Sequence, residues 1–148
     1  MSESVQATAE GLVGKRIIEE RFGPITRHTL ALYCGASGDH NPIHVDSDFA
    51  KAFGFPDVFS HGMLVMSRLG RALTNVVPQA AVRSYTVRFV AITQVGAEIT
   101  AEGEVTGIVE EGGERRARIA LIAKDQNGEV KLQGEATAGL DGWEKAHG

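Results

Sequence analysis

Hydrophobic positions along this chain change period near residue 80. Before it, apolar residues recur mostly at the three- and four-residue steps of helices; after it, they alternate with polar ones as strands do. The exception comes first, because "KRIIEERFGPIT" reads as an opening strand that stops at Gly23-Pro24. Thr26 can then cap "RHTLALYCGAS", whose Leu30, Leu32 and Tyr33 suit a short helix with one buried face. "SDFAKAFGF" sets Phe49, Ala52 and Phe53 at helical spacing, with Asp46 or Ser47 as cap and Gly54 and Pro56 as the stop. "HGMLVMSRLGRALTNVV" is apolar most of the way round, which predicts a central, largely buried helix ended by Pro78.

The alternating half contains "SYTVRFVAITQV", "AEITAEGEVTGIVEE", "RRARIALIAKDQ" and "EVKLQGEATAGL". "EEGGERR" and "DQNGEV" are its predicted hairpin turns, with Asn127-Gly128 carrying the chemistry of a type I′ turn. One strand, then helices, then a run of antiparallel strands is an α+β order: a long buried helix wrapped by an antiparallel sheet covers both. A single domain over residues 1–148 is expected, its first ten small, polar residues fraying.

One segment of the helical half fits neither period. "GASGDHNPIHVD", residues 35–46, crowds acids, histidines, Asn and Pro between two apolar elements. Pro42 pushes Asn41 out of the α region and Gly38 weakens helix on the other side, so Asp39 and His44 belong to an irregular loop. On a helix they would stand about 140° apart; a loop can turn both inward. A carboxylate beside an imidazole can orient the ring, fix its tautomer and share a water, which is acid–base equipment. The plainer alternative makes Asp39 and Asn41 Asx-turn residues and His44 a satisfied, half-buried ring. A metal is not expected. His40 and His44 are four apart, but Asn41 replaces the Glu that a zinc-protease helix needs, and "DSDFAK" lacks the glycine of a calcium loop.

A second polar cluster, Ser60-His61-Gly62 in "FSHGMLVM", opens the long helix. Free backbone N–H groups and the helix dipole make such a start electropositive, and one N–H aimed at a carbonyl oxygen is an oxyanion hole. His61 also reads as a cap or supporting residue. The segment "FAKAFGFPDVF", Phe53 among its residues, and Met63–Met66 are candidates to line an apolar tunnel.

Composition narrows the classes. The 148 residues are 43% apolar with a net charge of −4, enough for a core and against a nucleic-acid partner. The single Cys34 allows no intrachain disulfide and fits a reducing compartment. No signal peptide and no apolar run of about 20 residues is visible, so a soluble, cytoplasmic protein without a membrane partner is expected.

The two polar motifs in this order resemble the MaoC-like dehydratases, the (R)-specific enoyl-CoA hydratase family of hotdog-fold proteins. "SGDHNPIHVD" (37–46), "FAKAFGFPDVFSHGMLVM" (49–66) and "YTVRF" (85–89) carry the likeness. It implies a hotdog fold and reversible syn addition of water to a trans-2-enoyl thioester. Asp39 and His44 would hold and activate the water, Asn41 would support the loop or the substrate, and the Gly62 N–H would polarise the thioester carbonyl. Ser60, His61, Met63 and Phe53 would then lie on the substrate side. The resemblance implies no metal or redox cofactor, only coenzyme A or an acyl-carrier pantetheine as the substrate's handle. It also implies a homodimer, with a heterodimer of hotdog subunits as the alternative. The chain departs from the pattern at Gly70, where some members have serine, and in "VAITQVGAE", which lacks a proline and has Ala97 for an aspartate. A hotdog thioesterase would not need the Asp-x-Asn-Pro-x-His arrangement. A non-catalytic subunit is the other alternative, although such chains usually lose the Asp or the His that this one keeps.

Overall fold

The computed structural model describes residues 9–141 and Trp143. The expected fraying at residues 1–10 falls almost wholly outside them. The elements are β1 (Arg16–Phe22), α1 (Arg27–Ser37), α2 (Ser47–Ala52), α3 (Gly62–Val76), β2 (Val82–Phe89), β3 (Ile99–Glu111), β4 (Glu114–Lys124) and β5 (Val130–Gly139). Five antiparallel strands in the order β1-β3-β4-β5-β2 form one sheet, and α3 packs against it, touching β1, β2, β3 and β4. This is the α+β, helix-in-sheet architecture expected from the change of period.

Leu64, Val65, Leu69, Ala72 and Leu73 are the buried stripe of α3, and they join Ile18, Ile99, Val105, Ile119 and Leu121 in the core. Each fully buried Leu or Ile contributes about 1.5–3 kcal/mol. Small residues of the sheet, among them Ala101, Ala117 and Ala136, leave room for the helix. The expectation of a largely buried helix rather than a surface one needs correction. Met63, Ser67, Arg68, Arg71 and Asn75 form an exposed flank, so within this chain α3 is amphipathic.

Turns depart from expectation in one instructive place. Gly112 and Gly113, with φ of 61° and 75°, close the β3–β4 hairpin between the paired Glu111 and Glu114. Both central residues of a type I′ loop need positive φ. At the second hairpin only Gly128 has it, with φ 81°, and Asn127 does not. The Asp125 carboxylate replaces the expected geometry by accepting from the N–H groups of Asn127 (2.9 Å) and Glu129 (3.0 Å). β2 is also shorter than "SYTVRFVAITQV" predicts. After Phe89 the N–H groups of Val90 and Ala91 both turn to the Lys131 carbonyl, at 2.8 and 3.3 Å, and the strand ends.

The loop between α1 and α2 is fixed at both ends. Gly38, in the left-handed region at φ 78°, ends α1 and donates its N–H to the Cys34 carbonyl. The Asp46 carboxylate accepts from Asp48 and Phe49 to start α2, one of the two caps expected. Thr26 caps α1 as expected. Among the described residues no helix is long and apolar enough to cross a membrane.

Candidate active site

Asp39 to His44 fold as a succession of side-chain-capped turns. The Ser37 hydroxyl accepts from the Asp39 N–H, Asp39 Oδ1 from the Asn41 N–H, and Asn41 Oδ1 from the Ile43 N–H. Pro42–His44 is a short 3₁₀ turn capped by Asn41. The Asx-turn reading of Asp39 and Asn41 is therefore realised, yet it occupies only one oxygen of Asp39. The other, Oδ2, faces His44 Nε2 at 3.9 Å.

His44 is buried and its ring is tied on the opposite side, Nδ1 lying 2.8 Å from the Phe59 carbonyl. A carbonyl can only accept, so the hydrogen sits on Nδ1 and the lone pair is left on Nε2, toward Asp39. Phe59 is held in turn. Asp57 accepts from the Val58 N–H at 2.7 Å and the Ser47 hydroxyl at 2.9 Å, and pairs with Arg27. The Val58 and Ser47 bonds, outweighing partial burial, hold the Asp57 carboxyl below the usual range. Ser60 N–H donates to the Thr93 carbonyl at 2.8 Å, stitching this segment to the chain beyond β2.

His61 stands at the start of α3 without capping it. It is 1% exposed, its ring stacked on His44 with centroids 3.8 Å apart and 26° between planes. Nε2 lies 3.3 Å from the Asp39 carbonyl and 3.4 Å from Cys34 Sγ. Burial first, then the neighbouring His44, hold its pKa below the ordinary value. Burial, then Asp39, pushes the Cys34 thiol up, against a nucleophilic role.

A cavity of about 410 Å³ opens onto these groups, walled by Asp39, His44, Ser60, His61, Gly62 and Met63 on one side and by residues 89–93 on the other. Gly62 begins α3 in this wall; a Cβ there would meet the Phe89 ring at 3.0 Å. Six of the eight sequence candidates, Asp39, His44, Ser60, His61, Gly62 and Met63, thus line the cavity. Asn41, exposed and outside the lining, braces the loop through its cap of the Ile43 N–H. Phe53 does not reach the cavity: its ring is 66% exposed and packs on Phe49 at 4.8 Å. His40 is exposed, and Ser67 is engaged with the Leu64 carbonyl of its own helix at 2.6 Å. At Gly70 the space beside the helix belongs to Tyr85, whose ring lies 3.2 Å from where a Cβ would stand and whose hydroxyl donates to the Met66 carbonyl at 2.7 Å.

Sequence reasoning missed Val90, Ala91, Ile92 and Thr93, which complete the wall. Phe59 lies in the segment expected at the tunnel, but its hold on His44 runs through a main-chain carbonyl, which leaves no signature in residue type. The missed residues sit in "VAIT", which reads as strand because β-branched residues favour strands, although β2 ends at Phe89.

Asp39, His44 and His61 offer ligand atoms within 4.8 Å of one another. By residue type a zinc ion could accept them. His61, however, has Nε2 engaged with the Asp39 carbonyl and Nδ1 buried. That leaves two open donors, short of the three protein ligands of a catalytic zinc site.

Residues 8–126 match a family model described as a MaoC-like domain. A mitochondrial 3-hydroxyacyl-[acyl-carrier-protein] dehydratase of Solanum lycopersicum is 33% identical over 108 residues, 73% of this chain and 66% of that protein. An (R)-specific enoyl-CoA hydratase of Rhodospirillum rubrum is 32% identical over 117 residues, 76% of this chain and 78% of that protein. Among solved structures, an unliganded (R)-hydratase from Pseudomonas aeruginosa superposes with a TM-score of 0.74 at 29% identity, covering 84% of this chain and 79% of the other.

Proposed function

This chain belongs to the MaoC-like domain family, and from that premise we propose that it reversibly hydrates trans-2-enoyl thioesters to (R)-3-hydroxyacyl thioesters. One observation carries the reading: Asp39 Oδ2 and the lone pair of His44 Nε2 face each other across 3.9 Å on the wall of a cavity that Gly62 also lines. Two acceptors at that separation can each take a hydrogen bond from one water, leaving its oxygen lone pair free for C3 of the substrate.

As the O–C3 bond forms, one member of the pair takes a proton from the water. The electrons of the double bond move toward the thioester oxygen, and the Gly62 N–H at the uncapped start of α3 donates to that oxygen. The pair returns a proton to C2, so one water is added in all. Both groups lie on one side of the cavity, which makes the addition syn. Positioned acid–base help of this kind is worth about 10²–10⁴ in rate. In this reading the chemistry needs no cofactor beyond the coenzyme A or acyl-carrier pantetheine of the substrate itself. The relatives' names include both kinds of handle. Ser60, His61 and Met63 belong to the same wall. The exposed Met63, Phe89, Val90 and Ile92 around the cavity mouth, with the open flank of α3, support a second hotdog subunit there, a homodimer in the simplest case.

The test is loss of the enoyl-thioester absorbance with purified protein and crotonyl-CoA, then longer and branched substrates. Consumption by the wild type and none by Asp39→Asn supports the proposal. Equal consumption by that variant overturns the mechanism, and silence on every substrate makes this chain a non-catalytic partner of another hotdog.

A further inference from the structure

The hydration reaction leaves His61 without a chemical step. Its ring is almost wholly buried, yet Nδ1 has no hydrogen-bond partner. An apolar side chain would fill such a space without orphaning a polar atom, so the polarity of this residue has to be used elsewhere. It is used at Nε2. The Asp39 carbonyl, 3.3 Å away, only accepts, so Nε2 carries the hydrogen and donates, and the lone pair falls to Nδ1. The face of the same ring lies on His44 at 3.8 Å, and Tyr33 closes against it edge-on at 4.7 Å. One side chain, itself wedged, touches both members of the pair.

We propose that His61 is a positioning residue: by donating from Nε2 to the Asp39 carbonyl while its ring backs the His44 imidazole, it fixes the carboxylate and the imidazole relative to each other. The role rests on the hydration reading, and it replaces the direct substrate contact that the sequence motif implies for His61. Burial beside His44 keeps the ring neutral, so it supports its neighbour without placing a fixed positive charge against it. Displacement of a catalytic group by about 1 Å can cost about 10² in rate. A residue that positions the pair therefore acts on kcat and leaves KM alone.

Three variants separate the two contacts. His61→Leu removes both, His61→Phe keeps a ring but no donor, and His61→Gln keeps a donor but no ring. Expected with crotonyl-CoA is a fall in kcat of about 10²-fold for His61→Leu, smaller falls for the other two, and KM unchanged throughout. Loss confined to KM, or an unaltered kcat in His61→Leu, overturns the proposal. A second readout is independent of turnover. In ¹⁵N-histidine NMR spectra of the wild type, His44 should appear as a single Nδ1–H tautomer with a slowly exchanging proton. In His61→Leu that proton should exchange faster and the two nitrogens should average; unchanged His44 signals count against positioning. If His61→Leu fails to fold, the Phe and Gln variants carry both measurements. If the wild type hydrates nothing, the hydration reading falls by itself, and the NMR comparison still decides whether His61 orders His44.

Discussion

Two polar clusters, each built around buried side chains, adjoin the segment 90–94, and they differ in how completely their hydrogen bonds are satisfied. On one side Lys131, 2% exposed, donates from Nζ to the Ile92 carbonyl at 2.8 Å and pairs with Asp125 and Glu129. Asp125 accepts from Asn127, Glu129 and the Gln94 amide. On the cavity side the Asp39–His44 gap is 3.9 Å and His61 Nδ1 has no partner. In the first cluster the buried Lys131 and Asp125 spend their polar atoms on each other and on neighbouring chain. The second keeps an imidazole lone pair and a carboxylate oxygen turned toward a cavity. Between these two clusters saturation goes with bracing and incompleteness with the cavity, and an unsatisfied buried group such as His61 Nδ1 costs stability.

The comparison implies opposite outcomes for substitution in the two places. His44→Gln should lower kcat by about 10²–10⁴ and leave the thermal midpoint close to wild type, since the capped turns of its loop do not depend on the imidazole. A midpoint that collapses with activity would make His44 a structural residue and remove the contrast.

Lys131→Met should do the reverse. Removing one partner strands Asp125 in a buried position, which costs about 3–5 kcal/mol. Urea unfolding reads that loss directly. What remains folded should keep most of its kcat while KM rises, because the Ile92 carbonyl and the cavity wall lose their tether. A variant of wild-type stability would show that the saturated cluster braces nothing.

Sequence reasoning read the two regions unequally, for physical reasons. Asp39, His44 and Gly62 were legible because loop chemistry and a helix start follow from local rules about Pro, Gly and free N–H groups. The α+β order was legible from the change of period. The brace was not: "DQNGEV" predicts an ordinary I′ turn, and nothing local says that Asp125 and Lys131 are buried together. Their pairing needs Gln94 and Ile92, more than 30 residues away in the chain. The amphipathic character of α3 escaped for the converse reason. Its exposed flank carries Met63 beside Ser67 and the arginines, so the apolar count alone overstated burial. Phe53 was placed by motif proximity, and the end of α2 turns it outward.

Gly62→Ala tests the boundary between the two regions, where α3 meets Phe89. The added methyl would sit 3.0 Å from the Phe89 ring, so the ring must yield by a few tenths of an ångström. Overpacking of this kind costs about 1–3 kcal/mol. Enzyme kinetics should show a raised KM with a modest fall in kcat, because the ring moves within the cavity while Asp39 and His44 stay in place. A fall in kcat as deep as that of His44→Gln would instead put the helix N-terminus on a par with the dyad.

The smallest expected effect is on stability against pH, and it separates the clusters by where each fails. His61 is held below its ordinary value of 6.5, so just under that pH the unfolded chain binds more protons than the folded one. Its contribution is complete above 6.5 and declines as pH falls through the folded value. Burial alone would raise the Asp125 carboxyl, but the bonds from Gln94, Glu129 and Asn127 and the Lys131 charge outweigh it and hold it below the ordinary 3.8. That contribution is intact above about 4 and is lost only in stronger acid. Thermal midpoints followed from pH 8 downward should therefore fall in two stages, the first abolished in His61→Gln and the second reduced in Asp125→Asn, with the lowered carboxyls of Asp57 and Glu114 supplying the rest. If the first stage persisted in His61→Gln, its protonation would not be what loosens the site, and incompleteness at the cavity would carry no cost of its own.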